Sequence, residues 1–187
     1  MAAPPVPELL RAHLSKLAET DERLDGRGRF EGREVNVETG VLSNAEGSAR
    51  VQMGNTIVLA GVKFQIMTPY PDRPTSGGFM TSAEVRPVSG VHWEAGPPSP
   101  EAIELGRVVD RGIRESGCID MEDLCILPGE KAWQVILDVF ALSDDGNLFD
   151  AFATAAMAAL RTATIPGEKF DVGEDRPLPV SKTPMMC

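Results

Sequence analysis

The chain has 187 residues, and its 18 basic and 28 acidic side chains give a formal net charge of −10 at pH 7. Hydrophobic residues make up 42% of it, which is enough for a folded domain with its own core. The acidic balance argues against binding of nucleic acid through a broad basic surface, so an anionic partner would have to be held by a local cluster of basic side chains.

The first half of the chain predicts one helix followed by four strands. Residues 1–7 lack the basic segment and apolar run of a leader peptide. Apolar residues at three- and four-residue spacing predict a helix over 7–18, and the charged, glycine-punctuated segment 20–34 predicts an irregular arm. Alternating apolar residues predict strands over 35–41, 47–53, 56–67 and 79–88.

The second half predicts two helices around a pair of strands. Ser99 is a typical helix N-cap and precedes a proline, so a helix begins there and runs to about residue 116, where Gly117 ends it. The remaining predicted elements are strands over 124–127 and 132–142, a turn at 143–147, an alanine-rich helix over 148–164 and an irregular tail. This order indicates an α+β fold with the helices on one face of a sheet.

The cysteines and histidines are too scattered to encode a disulfide scaffold or a zinc site. They are Cys118, Cys125, Cys187, His13 and His92. No two cysteines have the CxxC spacing, so we expect no metal and no cofactor. No stretch approaches the roughly 18 apolar residues of a membrane span, so we expect a cytoplasmic protein that does not contact a membrane.

Three arginines of the predicted second helix are candidates for anion binding. On a helical wheel, Arg107, Arg111 and Arg114 lie within about 60° of one another. The opposite side is apolar and carries Ala102, Leu105, Val109 and Ile113. Spacing alone leaves two interpretations open: a row that binds an anion, or a solvated face on which the arginines pair with Glu104 and Asp110.

Four sequence motifs, taken together, resemble the RNase PH family. They are Arg23-Leu24-Asp25-Gly26-Arg27, the segment 46–56 (EGSARVQMGNT), the helix segment 102–116 (AIELGRVVDRGIRES) and the segment 144–151 (DDGNLFDA). The Arg-x-Asp-Gly-Arg motif alone would be weak. Within the family, the chain resembles the non-catalytic RNase PH-like subunits of the archaeal exosome.

The resemblance implies a two-layer RNase PH-like fold, in which a mixed, mostly antiparallel sheet packs against two helices, with an additional N-terminal helix. It implies an N-terminal helix in 1–20, the first part of the family domain in 21–165, and in 166–187 an irregular tail that starts a missing second part. The partners it implies are a catalytic RNase PH-like subunit in a hexameric ring, RNA, and RNA-binding cap subunits of the ring. Arg107, Arg111 and Arg114 would then bind RNA.

The resemblance also implies that this subunit has no catalytic residues. Active members carry an Asp-Gly-Gly-Thr-Arg type turn that binds phosphate before the last helix. Here Leu148 and Phe149 replace the hydroxyl and the guanidinium, and Asp150 adds negative charge. The expected function is a non-catalytic, RNA-binding structural subunit that supports 3′-to-5′ phosphorolytic RNA degradation by its neighbour. The alternatives are a phosphorolytic exoribonuclease in its own right and an interaction protein that shares only the fold.

Two other features receive local interpretations. We expect Asp25 and Arg27 to hold the 20–34 arm against the domain rather than to bind a ligand. Trp93, in the loop before the arginine helix, either packs locally or stacks on a base.

Overall fold

The computed structural model describes residues 7–181, so the expectations for residues 1–6 and 182–187, including Cys187, lie outside the described residues. The chain divides into two compact units, Met1–Glu34 and Val35–Cys187. Within residues 7–181, no helix is long and apolar enough to cross a bilayer.

The N-terminal unit consists of helix α1 (Glu8–Glu19) and an arm without regular secondary structure, as predicted. None of the residues of α1 is buried. Within the arm, the Arg27 Nε donates to Asp25 Oδ2 at 2.8 Å, and Arg27 Nη1 donates to the Glu31 carbonyl at 2.8 Å. These contacts of Asp25 and Arg27 fix the conformation of the arm itself, and the expectation that they hold the arm against the domain stays a prediction.

The larger unit is one sheet with two long helices. Its elements are β1 (Val35–Thr39), β2 (Gly47–Met53), β3 (Thr56–Met67), β4 (Gly78–Glu84), α2 (Pro100–Ser116), β5 (Cys125–Leu127), β6 (Lys131–Ser143), α3 (Leu148–Thr162), β7 (Thr164–Ile165) and β8 (Arg176–Pro177). The strand order is β1-β2-β3-β6-β4, with β5 also paired to β6. The β4–β6 pair is parallel and the other pairs are antiparallel, so the predicted mixed, mostly antiparallel sheet is confirmed.

Three stretches differ from the sequence prediction. The first strand ends at Thr39, not at Val41, and Gly40 follows it with φ 71°. The fourth strand ends at Glu84, not at Val88, because Arg86 and Ser89 form a turn in which the Ser89 N–H donates to the Arg86 carbonyl at 2.8 Å. The segment after Ile165 is more ordered than expected: β7 pairs with β8, and residues Glu168–Phe170 form a 3₁₀ turn. Further along, Val180 bridges to Ile119.

The core lies between one face of the sheet and the two helices. Alternate residues of β3 and β6 are buried there, among them Val58, Val62, Leu137 and Val139. Helix α3 buries eight of its residues, mainly alanines, because it lies flat against β2 and β3. Helix α2 buries only the four predicted apolar residues and packs on β4. The result is the predicted two-layer arrangement.

Gly47, the first residue of β2, lies where the end of α3 comes closest to the sheet. A Cβ atom at this position would lie 2.5 Å from the Ala159 carbonyl oxygen and 2.6 Å from Ala163 Cα. We expect Gly47→Ala to lower the free energy of unfolding by about 1–3 kcal/mol, because two backbone segments would have to separate.

Urea unfolding of the variant measures this effect. Gly32→Ala is the matched control, since a Cβ there would meet nothing within 4 Å. Equal midpoints for the two variants would show that α3 does not approach β2 this closely.

Glu46 connects the sheet to the segment that follows α3. Its side chain is 11% exposed and pairs with Lys63 Nζ at 3.1 Å and Lys169 Nζ at 2.9 Å. Burial raises the pKa of Glu46, but the hydrogen bonds from Lys169 and Lys63 outweigh it and lower the pKa below 4.5. The ionised form therefore stabilises the folded state.

We expect Glu46→Gln to lower the free energy of unfolding at pH 7 by about 1–2 kcal/mol, since two charge-assisted hydrogen bonds are lost. Because the folded-state pKa is depressed, this contribution is fully present above pH 4.5 and is lost as the pH falls through the folded-state pKa. Urea titrations of both proteins at pH 7 and at acid pH check this. A difference between the proteins that does not shrink on acidification would contradict it.

Candidate nucleic-acid interface

The ends of helix α2 fix which side chains it presents to solvent. At its start, the Ser99 Oγ accepts a hydrogen bond from the Ala102 N–H at 3.2 Å, and Pro100 occupies the first turn. At its end, Gly117 adopts a left-handed conformation with φ 62°, which a glycine takes without strain. With both ends defined, the four buried apolar residues set the rotation of the helix and turn its arginines outward.

A groove runs between α2 and the outer strand β4. It has a volume of about 460 Å³, and its lining includes Thr81, Gly106, Arg107, Asp110 and Arg111. The helix approaches the strand closely, since a Cβ at Gly106 would lie 3.1 Å from Ala83 Cβ. The groove therefore has a wall of helix side chains and a floor at the edge of the sheet.

Arg107 and Arg111 are both exposed and make no hydrogen bond or ion pair within residues 7–181. The sequence allowed a pair between Glu104 and Arg107, but the structure does not form it. The two residues are four positions apart in the helix, which corresponds to a rise of about 6 Å along its axis. They are free to bind an anion in the groove.

Arg114 is engaged, although its side chain is 46% exposed. Its Nε and Nη2 donate to the two carboxylate oxygens of Asp110 at 3.1 and 2.8 Å. Nη2 also donates to the Phe79 carbonyl at 2.9 Å, and the guanidinium carbon lies 5.6 Å from the centre of the Phe79 ring. The hydrogen bonds to Asp110 raise the pKa of Arg114. The three predicted RNA-binding arginines thus divide into two free groups and one that already has partners.

The turn before α3 is held by internal hydrogen bonds. The Thr56 Oγ1 accepts from the Asp145 N–H at 3.0 Å and donates to the Gly146 carbonyl at 2.7 Å. Asn147 precedes the helix with φ 63°, and its amide donates to Asp150 Oδ2 at 2.9 Å. A carboxylate therefore stands in the first turn of the helix, where a bound phosphate would need positive charge.

Trp93 packs locally. Its Nε1 donates to Asp144 Oδ2 at 2.9 Å, its ring lies 4.9 Å from that of His92, and it packs against the core. Of the two interpretations of Trp93, the structure favours packing that ties the loop before α2 to the turn before α3.

Three residues of β4 and the loop before it were not singled out in the sequence. The Phe79 carbonyl accepts from Arg114, a contact that no local spacing could reveal. The Thr81 Oγ1 is buried without a hydrogen-bond partner in the described residues. Tyr70 is 69% exposed in the loop that leads into β4, and its position between two prolines was the available signal for an exposed aromatic side chain.

Comparison with known proteins decides the family. The pattern of the 3′ exoribonuclease family, domain 1 (RNase PH), matches residues 31–166. The chain belongs to the RNase PH family. The exosome complex component Rrp42 of Methanocella arvoryzae is 48% identical over 180 residues, which cover 96% of this chain and 69% of that protein. Rrp42 of Archaeoglobus fulgidus is 51% identical over 172 residues, 92% of this chain and 66% of that protein.

Solved structures of the RNase PH family have the same fold. A chain described as the Archaeoglobus fulgidus exosome with RNA bound to the active site matches with a TM-score of 0.88 and 48% identity, covering 92% of this chain and 68% of that one. An archaeal exosome core matches with a TM-score of 0.81 and 46% identity, covering 92% and 66%. The chain thus spans about two-thirds of the length of these relatives.

Proposed function

We propose that this chain is a non-catalytic, RNA-binding structural subunit of a cytoplasmic exosome ring. It holds RNA for 3′-to-5′ phosphorolytic degradation by a neighbouring catalytic RNase PH-like subunit. Its other partners are the RNA-binding cap subunits of the ring. The observation that carries the proposal is the pair of free guanidinium groups, Arg107 and Arg111, along the α2–β4 groove of a chain otherwise rich in acid.

The chemistry of this pair suits an RNA backbone. Arginine presents a planar fork of N–H donors that matches two phosphate oxygens, and it stays charged at any physiological pH. Two such groups one turn apart can bind successive phosphates of a single strand. Phosphate contacts carry no direct information about base identity, so recognition through these two residues does not depend on sequence.

Two further observations support RNA as the ligand. The chain is 48% identical in sequence to a chain of a structure described as the Archaeoglobus fulgidus exosome with RNA bound to the active site. The exposed ring of Tyr70 lies in the loop before β4, and an exposed aromatic ring offers a stacking surface for a base.

The geometry before α3 supports a non-catalytic role. Phosphorolysis requires a site that holds inorganic phosphate, with donors aimed at its oxygens. At this turn the amide of Asn147 is bound to Asp150, and Phe149 is 45% exposed in place of a charged side chain. A phosphate ion would meet a carboxylate and a phenyl ring here.

We expect replacement of both free arginines to weaken RNA binding. In a ring assembled from this chain and a catalytic RNase PH-like subunit, Arg107→Gln with Arg111→Gln should lower affinity for a fluorescent oligoadenylate roughly 10-fold per residue, because each loses a charge-assisted phosphate contact. The dependence on salt should also weaken. The magnitude of the slope of log affinity against log salt should decrease by about 1.4, since each phosphate contact on a single strand contributes about 0.7.

Fluorescence anisotropy at several salt concentrations measures both quantities. The matched control is Arg11→Gln with Lys16→Gln, which removes the same charge from exposed positions of α1. If the groove variant retains the slope and affinity of the control, the proposed RNA contact is wrong.

We also expect the purified chain to release no nucleoside diphosphates from RNA in the presence of inorganic phosphate, because it lacks a phosphate site. The assembled ring, with its catalytic subunit, is the positive control. Chromatography of the products distinguishes the outcomes: phosphate-dependent release of diphosphates by the chain alone would establish it as an exoribonuclease in its own right.

A further inference from the structure

We propose that Arg114 is a positioning residue rather than an RNA contact: held by Asp110, it fastens the last turns of α2 to the edge strand β4 and so fixes Arg111 beside the groove. This inference rests on the proposed function of the groove. It assigns two roles to the arginines on one face of α2: Arg107 and Arg111 bind RNA, and Arg114 holds the helix in position.

Arg114 already has a full set of contacts. Its guanidinium group meets both oxygens of Asp110, the carbonyl of Phe79 and the face of the Phe79 ring. A phosphate could bind this group only by taking it away from Asp110 and Phe79. Arg107 and Arg111 have no such contacts to give up within residues 7–181.

Strand β4 lies at the edge of the sheet. Within residues 7–181 the one strand paired to it is β6. The Phe79 carbonyl of β4 accepts a hydrogen bond from Arg114 Nη2, 35 residues away in sequence. The bond therefore connects the C-terminal half of α2 to the sheet, beyond the apolar contacts that hold the buried side of the helix.

Asp110 affects the charge of the groove as well as the orientation of Arg114. It lines the groove between the two free arginines, where a free carboxylate would repel RNA. Both of its oxygens instead accept from Arg114, and its side chain is 25% exposed. The pair thus removes a negative charge from the groove while it orients the arginine toward Phe79.

Matched substitutions on the same helix separate the two roles. In the assembled ring, Arg107→Gln should decrease the magnitude of the slope of log affinity for oligoadenylate against log salt by about 0.7. The charge-conserving double variant Asp110→Asn with Arg114→Gln should leave the slope unchanged and lower affinity by about three- to tenfold at every salt concentration, because it removes the pair without freeing a carboxylate in the groove and leaves Arg111 less well positioned. A decrease of about 0.7 in the magnitude of the slope for this double variant would overturn the inference.

Hydrogen exchange provides a second measurement that does not depend on RNA. In the chain without RNA, Arg114→Gln and Asp110→Asn should each speed amide exchange in the last two turns of α2 about tenfold, and Arg107→Gln should not. Arg114→Lys should behave as Arg114→Gln, because lysine keeps the charge but loses the two-pronged pairing and the ring contact. Unchanged exchange in Arg114→Gln and Asp110→Asn would overturn the inference.

The two proposals fail in distinguishable ways. If Arg107→Gln and Arg111→Gln leave RNA binding unchanged, the groove does not hold RNA and the proposed function is wrong. If they weaken binding, the double variant keeps its affinity and Arg114→Gln does not change exchange, the groove holds RNA and only the positioning role is wrong.

Discussion

The packing of α2 on the outer strand of the sheet is the constraint on which the proposed interface depends. Only one face of α2 is buried, through Ala102, Leu105, Val109 and Ile113. Glycine at position 106 lets the helix approach Ala83 closely. Because the apolar stripe fixes the rotation of the helix, the opposite face has to present its arginines to solvent. The groove follows from this packing and needs no separate loop or insertion.

The charge in the groove differs from the charge of the chain as a whole. A net charge of −10 would repel a polyanion from most of the surface, and it excludes RNA binding by charge alone. In the groove Arg114 neutralises Asp110, and the guanidinium groups of Arg107 and Arg111 have no partner within residues 7–181. Asp150 places a carboxylate in the first turn of α3. Under the proposed function, Arg107 and Arg111 attract the phosphates of RNA, and Asp150 repels inorganic phosphate.

Local patterns in the sequence predicted much of this fold, and contacts between distant residues account for the rest. The apolar stripe of α2 and the bounds of β2 and β3 follow from periodicity, and the structure confirms them. The early end of β4 and the β7–β8 pair depend on turns and pairings that periodicity does not encode. Spacing placed an acidic residue one turn before both Arg107 and Arg114. Within residues 7–181 Arg114 is paired and Arg107 is not, and Arg114 also donates to the Phe79 carbonyl, a contact 35 residues away in sequence that spacing could not predict.

The most direct measurement is a structure of the assembled ring with an oligoadenylate and inorganic phosphate. The account predicts RNA phosphate oxygens within hydrogen-bonding distance, about 3 Å, of the Arg107 and Arg111 guanidinium groups. It also predicts that Arg114 remains on Asp110 and Phe79, and that no phosphate ion is bound at the turn of residues 145–149. Phosphate at that turn, or an RNA path that avoids the α2–β4 groove, would contradict the account.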